Sequence, residues 1–184
     1  MSIEDKKEST NEKKEELFHL EFIPESGQFL TATEEYKTLW ESESKKIMSG
    51  MEEVSGLKFP NSKIQAVVYE GISSLNWDDE GNYSLKLRGS YPVEVKKGTL
   101  IHELGHRLIA QITERPADMD EHRILFLILY DIWSKIYGQE FADEMVKIEK
   151  ARKGVYDYVS AWNWALAFSW QERKKKFQDL ITNF

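Results

Sequence analysis

With 184 residues, 41% hydrophobic and 31% charged, the chain is long enough for one packed core and has an ordinary globular composition. A net charge of -7 opposes a dedicated nucleic-acid binder, which needs clustered Lys and Arg; the one dense basic run, Arg173 to Lys176, reads as a solvated helix face. The absence of cysteine excludes disulfides, thiolate metal sites and a cysteine nucleophile.

Residues 1–16 are almost wholly Lys, Glu, Ser, Thr and Asn and read as a mobile tail ahead of a single domain over 17–184. The tail has no signal-peptide stretch, and the longest apolar run, Ile124 to Tyr130, is too short to span a bilayer. The expectation is a cytoplasmic protein with neither membrane nor nucleic acid as partner. Leu17 to Ile23 is a short apolar segment stopped by Pro24, a strand or docking arm. Thr33 to Val54 carries apolar residues at helical spacing, with Thr33 as N-cap and Gly56 as stop. Lys63 to Tyr69 is β-branched and apolar, closed by Gly71. Turn chemistry fills Asn76 to Asn82. Tyr83 to Arg88 alternates with period two, as a strand does, and Val93 to Val95 reads as one more extended piece. From Leu100 onward the pattern is helical: to about Glu114, from Asp118 to Tyr137, from Phe141 to Arg152, and from Tyr156 to Ile181 with a break near Ser169. Helix, strands, then helices define an α+β class.

The chemistry concentrates at His102-Glu103-Leu104-Gly105-His106. At about 100° per residue, His102 and His106 lie about 40° apart on a helix, one turn from each other, so both imidazoles can reach one cation. Glu103 falls beside them, placed to act as a general base. Zinc held by neutral imidazoles with one open position lowers the pKa of its water to about 7. Ile101, Leu104, Leu108 and Ile112 fill the opposite arc and predict a helix that buries one side only.

Candidates for a third ligand within the next helix are Asp118, Asp120, Glu121 and His122. Measured from Asp131 on the polar arc, His122 points about 180° away, toward the interior, and Glu121 lies on the flank at about 80°. His122 is the preferred ligand and Glu121 the alternative. His19 lies far from the motif and reads as structural or exposed.

This His-Glu-x-x-His helix after a set of strands resembles the zincin metallopeptidases, especially their small, minimal members. The resemblance covers Ile64 to Tyr137. It implies a small antiparallel or mixed sheet packed on the active-site helix, with a C-terminal helical bundle. It also implies zinc on His102 and His106, Glu103 as base, and a peptide or protein substrate lying along Tyr83 to Arg88 as edge strand. Zincins often supply a donor for the oxyanion, and Tyr156 and Arg152 are the candidates. The chain departs from several zincin patterns. Ile109 and Ile112 stand where metzincins have Gly and His, Glu114-x-x-x-Asp118 straddles Pro116, and the Glu-Ala-x-x-Phe-Ala pattern of repressor-cleaving zincins is missing. The alternative expectation is a non-catalytic zincin-like protein-binding or regulatory domain with a structural or vestigial metal.

Overall fold

A computed structural model describes residues 18–154 and 156–182; the tail expected over 1–16 lies outside them. The element order is β1 (His19–Pro24), α1 (Leu30–Ser55), β2 (Lys63–Tyr69), β3 (Ser74–Trp77), β4 (Tyr83–Arg88), α2 (Val93–Ile109), α3 (Glu121–Tyr137), α4 (Gln139–Lys150), α5 (Tyr158–Leu166) and α6 (Trp170–Ile181). The class is α+β. Among the described residues no helix is long and apolar enough to cross a membrane.

The sheet is mixed, with strand order β1-β2-β4-β3. β1, β2 and β4 run parallel, and β3 pairs with β4 antiparallel. Each parallel strand alternates: Leu20 and Phe22, Ile64, Ala66 and Val68, and Leu85 and Leu87 are buried, while Glu21 and Lys63 form an ion pair at the surface. One face is therefore apolar and carries helices, and the other is polar. The expectation that Tyr83 to Arg88 is an edge strand is corrected. It lies between β2 and β3, and β3, of which Asn76 and Trp77 fall in the expected turn, forms the edge. Only residues 78–82 turn, closed by Asp78 accepting from the backbone N–H of Glu80 and Asn82.

Two helix boundaries also shift, and the break expected near Ser169 is present. Val93 to Val95 is the first turn of α2 rather than an extended piece, because Pro92 supplies the pre-set φ of -58° at the N-cap and its carbonyl accepts from Lys96 N–H. Thr33 sits inside α1 and donates its hydroxyl to the Phe29 carbonyl one turn back, so it does not cap. Ser169, read as a break, is the N-cap of α6 with a capping box to Glu172.

Helix α2 is the axle of the molecule, packed on α1, α3, β3 and β4. It is buried on every side from Gly98 to Ile109, so the expectation of one buried face is corrected. Two glycines allow this close approach. A Cβ at Gly105 would lie 2.5 Å from Leu125 Cδ1 on α3, and one at Gly98 would lie 2.2 Å from Met145 Sδ on α4. Arg173, read as part of a solvated run, is buried at 5% exposure. It reaches Asp131 of α3, which is why that carboxylate is covered as well.

Candidate metal centre

The close packing of α2 on α3 and α4 brings three histidines from two helices together. One ring nitrogen each of His102, His106 and His122 lie within 4.8 Å of one another, and among the described residues this is the group suited to hold a metal ion. Tetrahedral zinc with bonds of about 2.0–2.1 Å places its ligand nitrogens roughly 3.3 Å apart, so the three rings are within small side-chain adjustments of that arrangement.

Tautomers are set by carboxylates behind two of the rings. His102 Nδ1 lies 2.6 Å from Glu149 Oε1, and His106 Nδ1 lies 3.0 Å from Glu121 Oε1. An ionised carboxylate only accepts, so in both cases Nδ1 carries the donating hydrogen. Both carboxyls are held below their ordinary pKa. For Glu149, burial pushes the other way but is outweighed by His102, Arg152 and the Trp162 indole N–H. For Glu121, the hydrogen bond with His106 lowers the pKa most, against the effect of burial.

With each Nδ1 engaged, the two Nε2 atoms are left facing each other 3.0 Å apart. Two lone pairs at that distance repel unless a cation lies between or beside them, and this favours a shared metal ion or proton. His106 responds accordingly. Burial lowers its pKa, but Glu121, Glu103 and Glu149 together raise it above the ordinary value. His122 goes the other way, lowered to about 3 by burial and by the two neighbouring imidazoles, and is therefore a neutral ligand-type ring at pH 7.

The support behind the rings is rigid. Glu149 Oε2 accepts from Trp162 Nε1 at 2.8 Å, and Trp162 stacks on Phe126 with centroids 4.0 Å apart. His122 stacks on Tyr156 at 4.2 Å. Glu103 is buried at 2% exposure and makes no hydrogen bond or ion pair among the described residues.

The structure thus brings His102, Glu103, His106 and His122 to one place, and sets Glu121 behind His106 at its Nδ1. His19 begins β1, exposed, apart from them. Tyr156, named as an oxyanion donor, has its hydroxyl bonded to Asp120 Oδ1 at 2.8 Å. Tyr158 is better placed, with its hydroxyl 3.4 Å from His122 Nε2. Burial, as the largest influence, raises its pKa, so it remains a donor at neutral pH. Sequence reasoning missed Tyr158, Glu149 and Trp162. For Glu149 a signal existed: Ala142, Met145, Val146 and Glu149 follow the spacing of one helix face, so a carboxylate stands in an apolar stripe.

Comparison with family models, with curated proteins and with solved structures finds no match to this chain.

Proposed function

We propose that the chain is a zinc-dependent hydrolase of the zincin metallopeptidase type, acting on a peptide or protein. The observation that carries this reading is the pair of Nε2 atoms 3.0 Å apart, each ring fixed by a carboxylate at Nδ1, with Glu103 unengaged beside them. The order of strands followed by the His-Glu-x-x-His helix, with α3 supplying His122, supports the resemblance.

His102, His106 and His122 would hold the ion, with Glu149 and Glu121 orienting the first two rings and strengthening them as donors. A bound zinc ion supplies Lewis acidity, lowering the pKa of water toward about 7 and polarising a carbonyl. Glu103 accepts the proton of the attacking water and returns it to the departing amine. The Tyr158 hydroxyl donates to the oxygen on which charge develops. Arg152, 3.6 Å from Glu149 Oε1, helps keep that carboxylate ionised.

A structural metal is the less supported reading. Such sites are closed by four protein ligands, whereas the group here has three, and a closed site needs no free carboxylate next to it. Elemental analysis of purified protein should give about one zinc per chain. Glu103→Gln should keep the zinc and lower turnover of a peptide substrate by about 10²–10⁴-fold. Unchanged turnover in that variant would remove Glu103 from the mechanism.

A further inference from the structure

Two cavities flank the histidines, and their chemistry differs. The one bordered by Glu121, about 240 Å³, is lined by Leu75, Trp77, Tyr83 and Arg115, so it carries one charge of each sign. The other, about 340 Å³, begins where Tyr156 and Tyr158 touch His122 and is lined further by Arg88, Tyr91, Arg152 and Lys153. No carboxylate lines it. Three cations from two segments, Arg88 at the end of β4 and the adjacent Arg152 and Lys153 after α4, thus meet at one side of the centre, in a chain whose net charge is -7.

The cations are set up to receive a ligand. Arg88 lies over the Tyr91 ring at 5.3 Å and Arg152 over the Tyr158 ring at 5.5 Å. Aromatic bracing of this kind holds the guanidinium planes in place, while Arg88 Nε donates to Glu70 Oε1 at 2.6 Å and Arg152 lies 3.6 Å from Glu149 Oε1. Exposed Glu70 and buried Glu149 offset one charge each, which leaves Lys153 as the uncompensated cation. Lys153 makes no ion pair among the described residues, and Arg152 Nε is a buried donor with no hydrogen-bond partner.

Resting on the hydrolase reading, we infer that the substrate carries a carboxylate on one side of the scissile bond only, received by Arg152, Lys153 and Arg88. An acidic side chain and a free C-terminus share this chemistry. On the other side, Arg115 and Glu121 offset each other beside Leu75, Trp77 and Tyr83, so a carboxylate there meets no net positive charge.

The test uses zinc-loaded Glu103→Gln protein and isothermal titration calorimetry, so that binding is read without turnover. The probes are amide-capped hexapeptides with a single Glu moved through each position, their Gln counterparts, and one neutral hexapeptide with a free or amidated C-terminus. A carboxylate should tighten binding at least about tenfold at one position or at the free terminus, and the two probe sets distinguish those sources. The preference should collapse in the Lys153→Met background and reverse in Lys153→Glu. Equal binding of charged and neutral peptides, or no binding by any of them, overturns the inference. Cleavage by the wild type that ignores charge would sink the subsite and leave the hydrolase intact. Carboxylate-selective binding without Glu103-dependent cleavage would sink the hydrolase and leave the cationic pocket.

Discussion

Asp131 and Glu149 are carboxylates covered by helices, and each is held by hydrogen bonds from another element, yet the two networks end differently. Asp131 of α3 receives Arg173 of α6 in two prongs, Nε to Oδ2 at 3.0 Å and a terminal nitrogen to Oδ1 at 2.7 Å. The other terminal nitrogen donates to the Phe168 carbonyl at 2.8 Å. Each of the three guanidinium nitrogens donates within the protein itself. Glu149 accepts from Trp162 and His102, but the chain of bonds continues through the imidazole and stops at a lone pair that meets another lone pair. A buried polar network that closes on itself fixes architecture; one that ends on an unsatisfied acceptor is built to be completed from outside.

The largest effect expected from this contrast is on stability, and at the closed network. Arg173→Met leaves Asp131 covered and unpaired, and breaking a buried pair from one side costs about 3–5 kcal/mol. Urea denaturation should show that loss. Because the pair lies away from the three histidines, zinc affinity measured by competition with a chelator should stay within about twofold. A fall in zinc affinity as large as the fall in stability would show that the two networks are one, and the comparison would fail.

Glu149→Gln should act in the opposite sense. It keeps shape but removes the charge that orients His102, and loss of such a partner weakens metal binding about 10–100-fold. That corresponds to roughly 1.4–2.7 kcal/mol in the holoprotein. The metal-free protein also loses stability, because the single amide oxygen can accept from His102 Nδ1 or from Trp162 Nε1 but not both; that loss should be smaller than the loss of zinc binding. If the metal-free protein loses more stability than zinc binding does, Glu149 is architecture after all.

The sequence reveals these two networks unequally. The His-Glu-x-x-His helix was legible because one-turn spacing is a property of a single helix and needs no tertiary knowledge. His122 is singled out by its phase opposite Asp131, but that premise is not met: Asp131 is covered by Arg173, and Ile124 to Leu129 are buried all round α3, so His122 joins the other two rings through the packing of α3 on α2. Glu149 and Tyr158 were not assigned, because their roles arise only when α4 and α5 fold back on α2 and α3. The same limit explains β3. Ser74 to Trp77 has weak strand propensity and sits next to strong turn residues, and its hydrogen bonds to β4 decide the outcome. Likewise the first turn of α2, with two valines, reads as extended in isolation and becomes helical through burial of Lys96 and the close packing at Gly98 one turn on.

The smallest effect concerns pH. His122 is depressed to about 3 from an ordinary 6.5, first by burial and then by the charges of His102 and His106. The unfolded chain therefore binds a proton below about 6.5 that the folded chain refuses until about pH 3. Stability must fall as pH is lowered through that window, by at most about 1.4 kcal/mol per pH unit from this group. His106 works against it, because its raised pKa stabilises the folded form below 6.5 and is lost as pH rises. Subtraction isolates His122. Urea midpoints of metal-free wild type and His122→Gln, taken from pH 7 to pH 5, should converge or cross on acidification, with wild type losing more. Parallel curves would mean that His122 is not held neutral among the other two rings. The network ending on His102 would then lack the neutral third ring that sets it apart from the closed pair of Asp131 and Arg173.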